Sequence, residues 1–332
     1  LGMYFLLFII GLEINPFEWK RMGGFIFRVS FWSICLSALL GGAVIYWILD
    51  YNWFVALLIG LSFSTVGEAI LVPILDEFKL INTHLGQVII GSGTLDDIIE
   101  VISLVAVTVF LGRRLHGNLN ISLTVFSLFA MFALTYGLSL LRREAKRFKF
   151  SSVDTLFFFI VAIFFLFLGI GYYAEATALG AILAGVGVKT FVPAERFQVI
   201  ESEVRAVCYG LFAPIFFLWV GLDMDMRYLA AAPLIVLLIV AVSSGAKFLG
   251  AFLGGGKQLG TRQVLLVGTA LSVRFSTSIV VVKILFENHL IGSDLYSAII
   301  ASSIVLTMVV PIIFAQLLQR HYKEIASKQY VV

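Results

Sequence analysis

The chain has 332 residues, 61% of them hydrophobic and 13% charged, with a mean hydropathy of +1.04. A soluble domain is about 45–50% apolar and about 25% charged, so this composition excludes a soluble globular protein, a disordered tail and a disulfide scaffold. The net charge of +3 argues against a nucleic-acid partner, and Cys35 and Cys208 both lie in apolar runs and suggest no disulfide framework.

What remains is an all-α polytopic protein of the lipid bilayer, in which each spanning helix needs roughly 20 apolar residues. The first apolar segment, 1–12, starts at Leu1 with neither an initiator Met nor a charged leader. It is read as a truncated N-terminus and not as a signal peptide. Segments two to four run over 22–49, 53–75 and 85–112. Segments five to seven cover 119–141, 153–174 and 176–188, and segments eight to eleven cover 204–221, 231–255, 263–286 and 294–319. These are continuous runs, without the alternation of barrel strands, so about eleven transmembrane helices are expected.

Loops on the side reached after segment one hold sixteen Lys and Arg residues, whereas the opposite loops hold only Arg113, Arg114 and Arg227. The positive-inside rule makes the first side cytoplasmic, which places the C-terminus in the cytoplasm and the protein in an inner or plasma membrane. No separate hydrophilic domain interrupts the chain, so residues 1–332 are read as a single transmembrane domain.

Gly11-Leu12-Glu13-Ile14-Asn15 recurs as Gly221-Leu222-Asp223-Met224-Asp225, an offset of 210, and at this offset 61–92 and 271–302 share twelve identities in 32 positions. Segments one and eight are seven apart, so the copies, roughly 1–112 and 204–319, have opposite orientation. Inverted-topology repeats are a signature of secondary transporters, whose sites lie near the midplane on interrupted helices.

An ionisable residue at a helix centre costs roughly 2.5–3.5 kcal/mol on insertion scales and tends to mark an ion pathway. Asp96 and Asp97 sit mid-segment in Gly91-Ser92-Gly93-Thr94-Leu95-Asp96-Asp97. Two close carboxylates repel when both are ionised, so the pair suits proton exchange or a hard cation; the bland reading is a helix cap or a fixed salt bridge. Glu100, one turn on, either shapes the same cavity or lies near the membrane surface. Lys247 is mid-segment nine and needs an acid, Asp97 on the functional reading, or else snorkels. Segments three and ten contain polar breaks at matching places, Ser62-Phe63-Ser64-Thr65-Val66-Gly67-Glu68 and Ser272-Val273-Arg274-Phe275-Ser276-Thr277-Ser278. Such runs suit unwound helices whose freed backbone groups line a cavity, with Glu68 and Arg274 offsetting the half-helix ends. Arg28 and Lys283 are expected to snorkel, and the four histidines lie at segment ends and suggest no metal site. Neither a Walker A nor a dinucleotide fingerprint is present, so no cofactor is expected.

Taken together, Phe8-Ile9-Ile10-Gly11-Leu12-Glu13, Thr94-Leu95-Asp96-Asp97, the stretch 178–185, the stretch 213–222 and Gly245-Ala246-Lys247 ahead of a glycine run resemble the monovalent cation:proton antiporter-2 family. The resemblance extends from residue 1 to about 319. It implies an inverted-repeat Na⁺/H⁺ antiporter fold with two crossing, partly unwound helices, a homodimer, and one or two helices preceding segment one. It also implies Asp97 as the principal ion and proton carrier, Asp96 as its neighbour, and Lys247 as the cation that pairs with the unloaded acid. Around them stand Ser64, Thr65, Glu68, Arg274, Ser276 and Thr277, with Thr94 and Glu100 further candidates. Relatives with two aspartates and this lysine exchange electrogenically, usually with Na⁺; K⁺/H⁺ exchange or K⁺ efflux is the alternative. Here Val273-Arg274-Phe275-Ser276 replaces the Pro-Arg-Gly-Glu run of many relatives, and Glu68 replaces an uncharged residue. The expected activity is therefore secondary transport and not enzyme catalysis. A cation channel is a remoter reading, as is an intramembrane aspartyl protease, whose acids normally come from separate helices.

Overall fold

A computed structural model of the protein describes residues 1–13, 23–81, 83–96, 99, 121–141, 153–173, 176–274 and 276–328. These residues are helical with short connections, and no strand occurs among them. In chain order the helices are α1 (Gly2–Glu13), α2 (Gly24–Leu36), α3 (Gly42–Trp47), α4 (Trp53–Ser62) and α5 (Glu68–Glu77), then α6 over 84–96. There follow α7 (Ile121–Leu140), α8 (Val153–Tyr173), α9 (Thr177–Phe191), α10 (Ala194–Val207) and α11 (Ala213–Leu222). The last four are α12 (Met226–Ala231), α13 (Pro233–Leu271), α14 (Ser276–Glu287) and α15 (Ser293–Lys328). Single π-helical turns at Ser37–Gly41 and Cys208–Phe212 join α2 to α3 and α10 to α11.

Among the described residues five stretches are long and apolar enough to cross a membrane: Gly24–Trp47, Asp154–Tyr173, Ile200–Leu222, Pro233–Gly256 and Ser293–Arg320. Four shorter apolar helices accompany them, Gly2–Leu12, Trp53–Ser62, Phe126–Leu140 and Thr177–Phe191. The eleven expected segments do not appear as eleven unbroken helices. Segments three and ten are each broken midway, and segment four runs past the described residues.

Two compact units divide the chain. The first comprises Leu1–Asn15 with Ile102–Leu222, and the second Pro16–Val101 with Asp223–Val332. In the first unit α1 lies against α9 with almost nothing between the backbones. A Cβ added at Gly11 would overlap the Ile182 carbonyl, and one at Gly185 would overlap the Phe8 carbonyl. Small residues at such positions let membrane helices approach closely, where van der Waals packing replaces the hydrophobic drive available in water. Phe164 of α8 packs on the same helix α1 from beside it, with ring centroids 4.3 and 5.2 Å apart for Phe5–Phe164 and Phe8–Phe164.

The second unit uses the same device. Gly250 and Gly254 of α13, one turn apart, face α2 so closely that a Cβ on either would come within 2.5 Å of the Cα of Ser33 or Val29. Arg28 fastens this seam: its Nε donates to the Gly254 carbonyl at 3.0 Å and a terminal nitrogen donates to Gln258 Oε1 at 3.3 Å. Arg28 remains exposed while it makes these bonds. Segments nine and ten are separated by a single non-helical residue. The run from Pro233 to Leu271 is two helical stretches that meet at Gly260, where φ is +73° and ψ is 161°, outside the helical range. Only glycine adopts that backbone conformation readily, so one residue does the work of a loop.

The breaks in segments three and ten have local causes. At the end of α4 the hydroxyls of Ser62, Ser64 and Thr65 donate to the carbonyls of Ile59, Leu61 and Ser62, at 2.8, 2.7 and 3.2 Å. Side chains that capture carbonyls three residues back compete with the helical ladder. The chain then runs unwound over 63–67 until α5 begins at Glu68. In segment ten α13 ends at Leu271 and α14 begins at Ser276. The two gaps meet, for the Gly67 N–H donates to the Val273 carbonyl at 2.9 Å.

Candidate functional site

The gap after α4 frees the carbonyl of Ser64, which in a continuous helix would accept from the backbone four residues on. The Lys247 ammonium donates to it instead. Lys247 reaches it from α13, where it is 1% exposed. The same ammonium lies 2.8 Å from Asp96 Oδ2, on α6, and Asp96 is wholly buried. Three elements therefore converge on one buried charge pair: the end of α6, the middle of α13 and the unwound stretch between α4 and α5.

A buried ion pair is worth its desolvation only when its remaining polar atoms are also satisfied. Here they are not. Asp96 Oδ1 is buried and has no hydrogen-bond partner among the described residues, and neither has the hydroxyl of Ser92, one turn earlier on α6. A fixed salt bridge would be poorly built this way. A carboxylate that also receives a proton or a metal cation on its second oxygen would be well served.

Arg274, on the second unwound stretch, is 2% exposed. Its guanidinium carbon lies 4.4 Å from the ring centroid of Phe63, on the first stretch, so the two gaps are joined by a cation–π contact as well as by the Gly67–Val273 bond. The Arg274 carbonyl accepts the hydroxyl of Thr307 from α15. At the offset of 210 Arg274 is the mate of Ser64, and Thr307 is the mate of Asp97. The freed carbonyls at the two equivalent places are thus both met by side chains from other helices.

Of the residues picked out in the sequence, the structure brings together Asp96, Lys247 and Ser64. Thr65 is buried in the same unwound stretch, and Thr94 bonds its hydroxyl to Ile90 O at 3.0 Å along α6. Arg274 stands at the crossing. Asp97 and Glu100 lie outside the described residues, and the side chains of Glu68, Ser276 and Thr277 are likewise not described. Lys283 is not at a surface: it is 2% exposed and paired with Asp223, which corrects its expected snorkelling. No group of His, Cys, Asp and Glu suited to a resident metal occurs among the described residues. Sequence reasoning missed the Ser64 carbonyl and Thr307. The offset of 210, carried through to single positions, is the signal that points to both, since it makes Ser64 the mate of Arg274 and Thr307 the mate of Asp97.

Residues 1–320 match the sequence model of the family described as sodium/hydrogen exchanger, transmembrane. The chain belongs to the sodium/hydrogen exchanger family. This sodium/hydrogen exchanger family member is therefore a multi-pass membrane protein and a secondary cation/proton transporter, not an enzyme. It is 24% identical over 335 residues to a Na⁺/H⁺ antiporter of Enterococcus hirae, across 97% of this chain and 84% of that one. A probable Na⁺/H⁺ antiporter 3 of Methanocaldococcus jannaschii is 26% identical, across 94% and 81%. The glutathione-regulated potassium-efflux protein KefC of an Enterobacter species is 30% identical, across 72% of this chain but only 39% of its own length. Among solved structures, the sodium proton antiporter MjNhaP1 of Methanocaldococcus jannaschii superposes with a TM-score of 0.62 at 15% identity, covering all of this chain and 85% of that one. This last likeness is one of fold.

Proposed function

We propose that the protein exchanges Na⁺ for H⁺ across the membrane, electrogenically and by alternating access, with Asp97 and Asp96 as the carriers and Lys247 as their counter-charge. The observation that carries this reading is the buried Lys247–Asp96 pair seated on the freed Ser64 carbonyl, with one Asp96 oxygen left over. Deprotonated carboxylates accept a cation through oxygen, and proton uptake releases it. When the cation leaves without a proton, Lys247 neutralises the acid, which keeps the empty site from holding an unpaired buried charge. An ammonium and a Na⁺ ion compete for the same carboxylate, so loading displaces Lys247.

The antiporters of Enterococcus hirae and Methanocaldococcus jannaschii, matched over most of their lengths, favour Na⁺. K⁺/H⁺ exchange is the second reading, favoured by the potassium-efflux relatives. The rest of the proposal is a homodimer with a cytoplasmic C-terminus, whose residues 1–332 form one transport domain built from inverted repeats over roughly 1–112 and 204–319.

Proteoliposomes loaded with a pH-sensitive dye test it. Addition of Na⁺ or Li⁺ should dissipate an imposed pH gradient and K⁺ should not, and clamping the membrane potential should accelerate the response. Asp97→Asn should abolish it. Gradient dissipation that survives Asp97→Asn, or that ignores the clamp, refutes the carrier assignment or the electrogenicity respectively.

A further inference from the structure

Among the described residues, the buried Lys283 stands outside the proposed transport site. Lys283 lies two turns into α14, and its ammonium pairs with the carboxylate of Asp223, which is 30% exposed. Glu287, one turn further along α14, is a second acid at 3.5 Å, and the rings of Phe286 and Tyr296 lie 5.5 and 5.7 Å from the ammonium. Burying a lysine is costly enough that packing alone does not call for it, since an apolar residue would fill the same space without desolvation.

Asp223 has a particular place in the chain. It is the first residue of the second unit, and α11 of the first unit ends immediately before it at Leu222. Two residues on, the Asp225 N–H donates to the Ser297 hydroxyl at 2.7 Å, and the Asp225 carboxylate caps α12 by accepting from the N–H groups of Arg227 and Tyr228 at 2.9 and 3.0 Å. Ser297 in turn donates to the Ser293 carbonyl at 2.6 Å. Within three residues of the boundary the entering chain is therefore fixed to α12, α14 and α15. Gly221, just before the boundary, faces open space.

We propose that Lys283 is a positioning residue for transport: by anchoring Asp223 it fixes the chain entering α12 to α14, the helix that follows the Arg274 gap. The inference rests on the cation/proton exchange reading above. Lys283 acts from the helix that follows the Arg274 gap, so the anchor ties the chain's point of entry to an element of the transport site without touching the cation.

The test compares wild type, Lys283→Met, Lys283→Arg and the exchange Lys283→Asp with Asp223→Lys. Each full chain is reconstituted in proteoliposomes, and rates are normalised to monodisperse folded protein and measured against Na⁺ concentration. For Lys283→Met, kcat should fall about tenfold with KM for Na⁺ unchanged, the mark of an interaction not made with the substrate. Lys283→Arg and the charge exchange should restore most of the turnover. Wild-type kcat in Lys283→Met overturns the proposal, as does a loss that Lys283→Arg shares in full. If the wild-type chain itself exchanges no cation, the transport reading fails first and by a separate measurement.

Discussion

Gly67 donates its backbone N–H to the carbonyl of Val273 at 2.9 Å, and this bond joins two helix gaps that lie about two hundred residues apart in sequence. A gap in a membrane helix exposes donors and acceptors with no water to meet them. Each gap here supplies part of what the other lacks, and Lys247 and Thr307 supply more. Neither gap is therefore self-sufficient, and damage to one should be felt at the other.

Thr307→Val tests that interdependence with a change of little volume. It removes the donor to the Arg274 carbonyl, and an unsatisfied buried acceptor costs about 1–3 kcal/mol. The purified variant should unfold at lower temperature than wild type. It should also exchange cations more slowly, although Thr307 carries no charge. Unchanged values for both would mean that the Arg274 carbonyl is served by another donor.

The Lys247–Asp96 pair lends itself to a double-mutant cycle. Lys247→Met or Asp96→Leu alone leaves a buried charge without its partner, a loss of about 3–5 kcal/mol for pairs of this kind. The double variant removes both charges and should recover most of that stability while remaining inactive in transport. Thermal unfolding in detergent reports the first quantity and the proteoliposome assay the second. Additive losses in the double variant would show that the two residues do not act as a pair.

Proton and cation are proposed to occupy the same carboxylates, which fixes the sign of the pH dependence. As pH falls the carboxylates take up protons and the cation is excluded, so the apparent KM for Na⁺ rises. As pH rises the protons leave and KM falls towards a floor. While one carboxyl titrates, direct competition changes KM by about tenfold per pH unit. Initial rates over a matrix of pH and Na⁺ concentration measure this, and a KM independent of pH would rule out competition at a shared site.

Gly260→Ala isolates a backbone effect. A Cβ at this position meets nothing within 4 Å, so the cost comes from φ of +73° alone, about 1–3 kcal/mol for a residue with a side chain. Gly23→Ala is the matched control, since Gly23 is equally open but has φ of −64°. The first variant should lower the unfolding temperature and the second should not.

Much of this architecture is legible in the residues. The breaks at 62–68 and 272–278 announce themselves as polar runs inside apolar segments, and Asp96 and Lys247 stand out because each is costly where it lies. The Ser64 carbonyl does not stand out, because every residue has a carbonyl and only the unwinding frees this one. Lys283 is misread for a related reason. Its distance from the segment end suits snorkelling, and only folding reveals that Asp223, sixty residues earlier, returns to meet it.

The contact between α1 and α9 bears on how the first unit can deform. Side chains ordinarily act as a cushion between helices, letting axes slide or tilt as rotamers adjust. At Gly11 and Gly185 no cushion exists, and the peptide planes themselves bear on one another. Such a seam tolerates very little shear before atoms collide. Whatever displacement the transport cycle asks of these two helices, they should make it as one stiff plank.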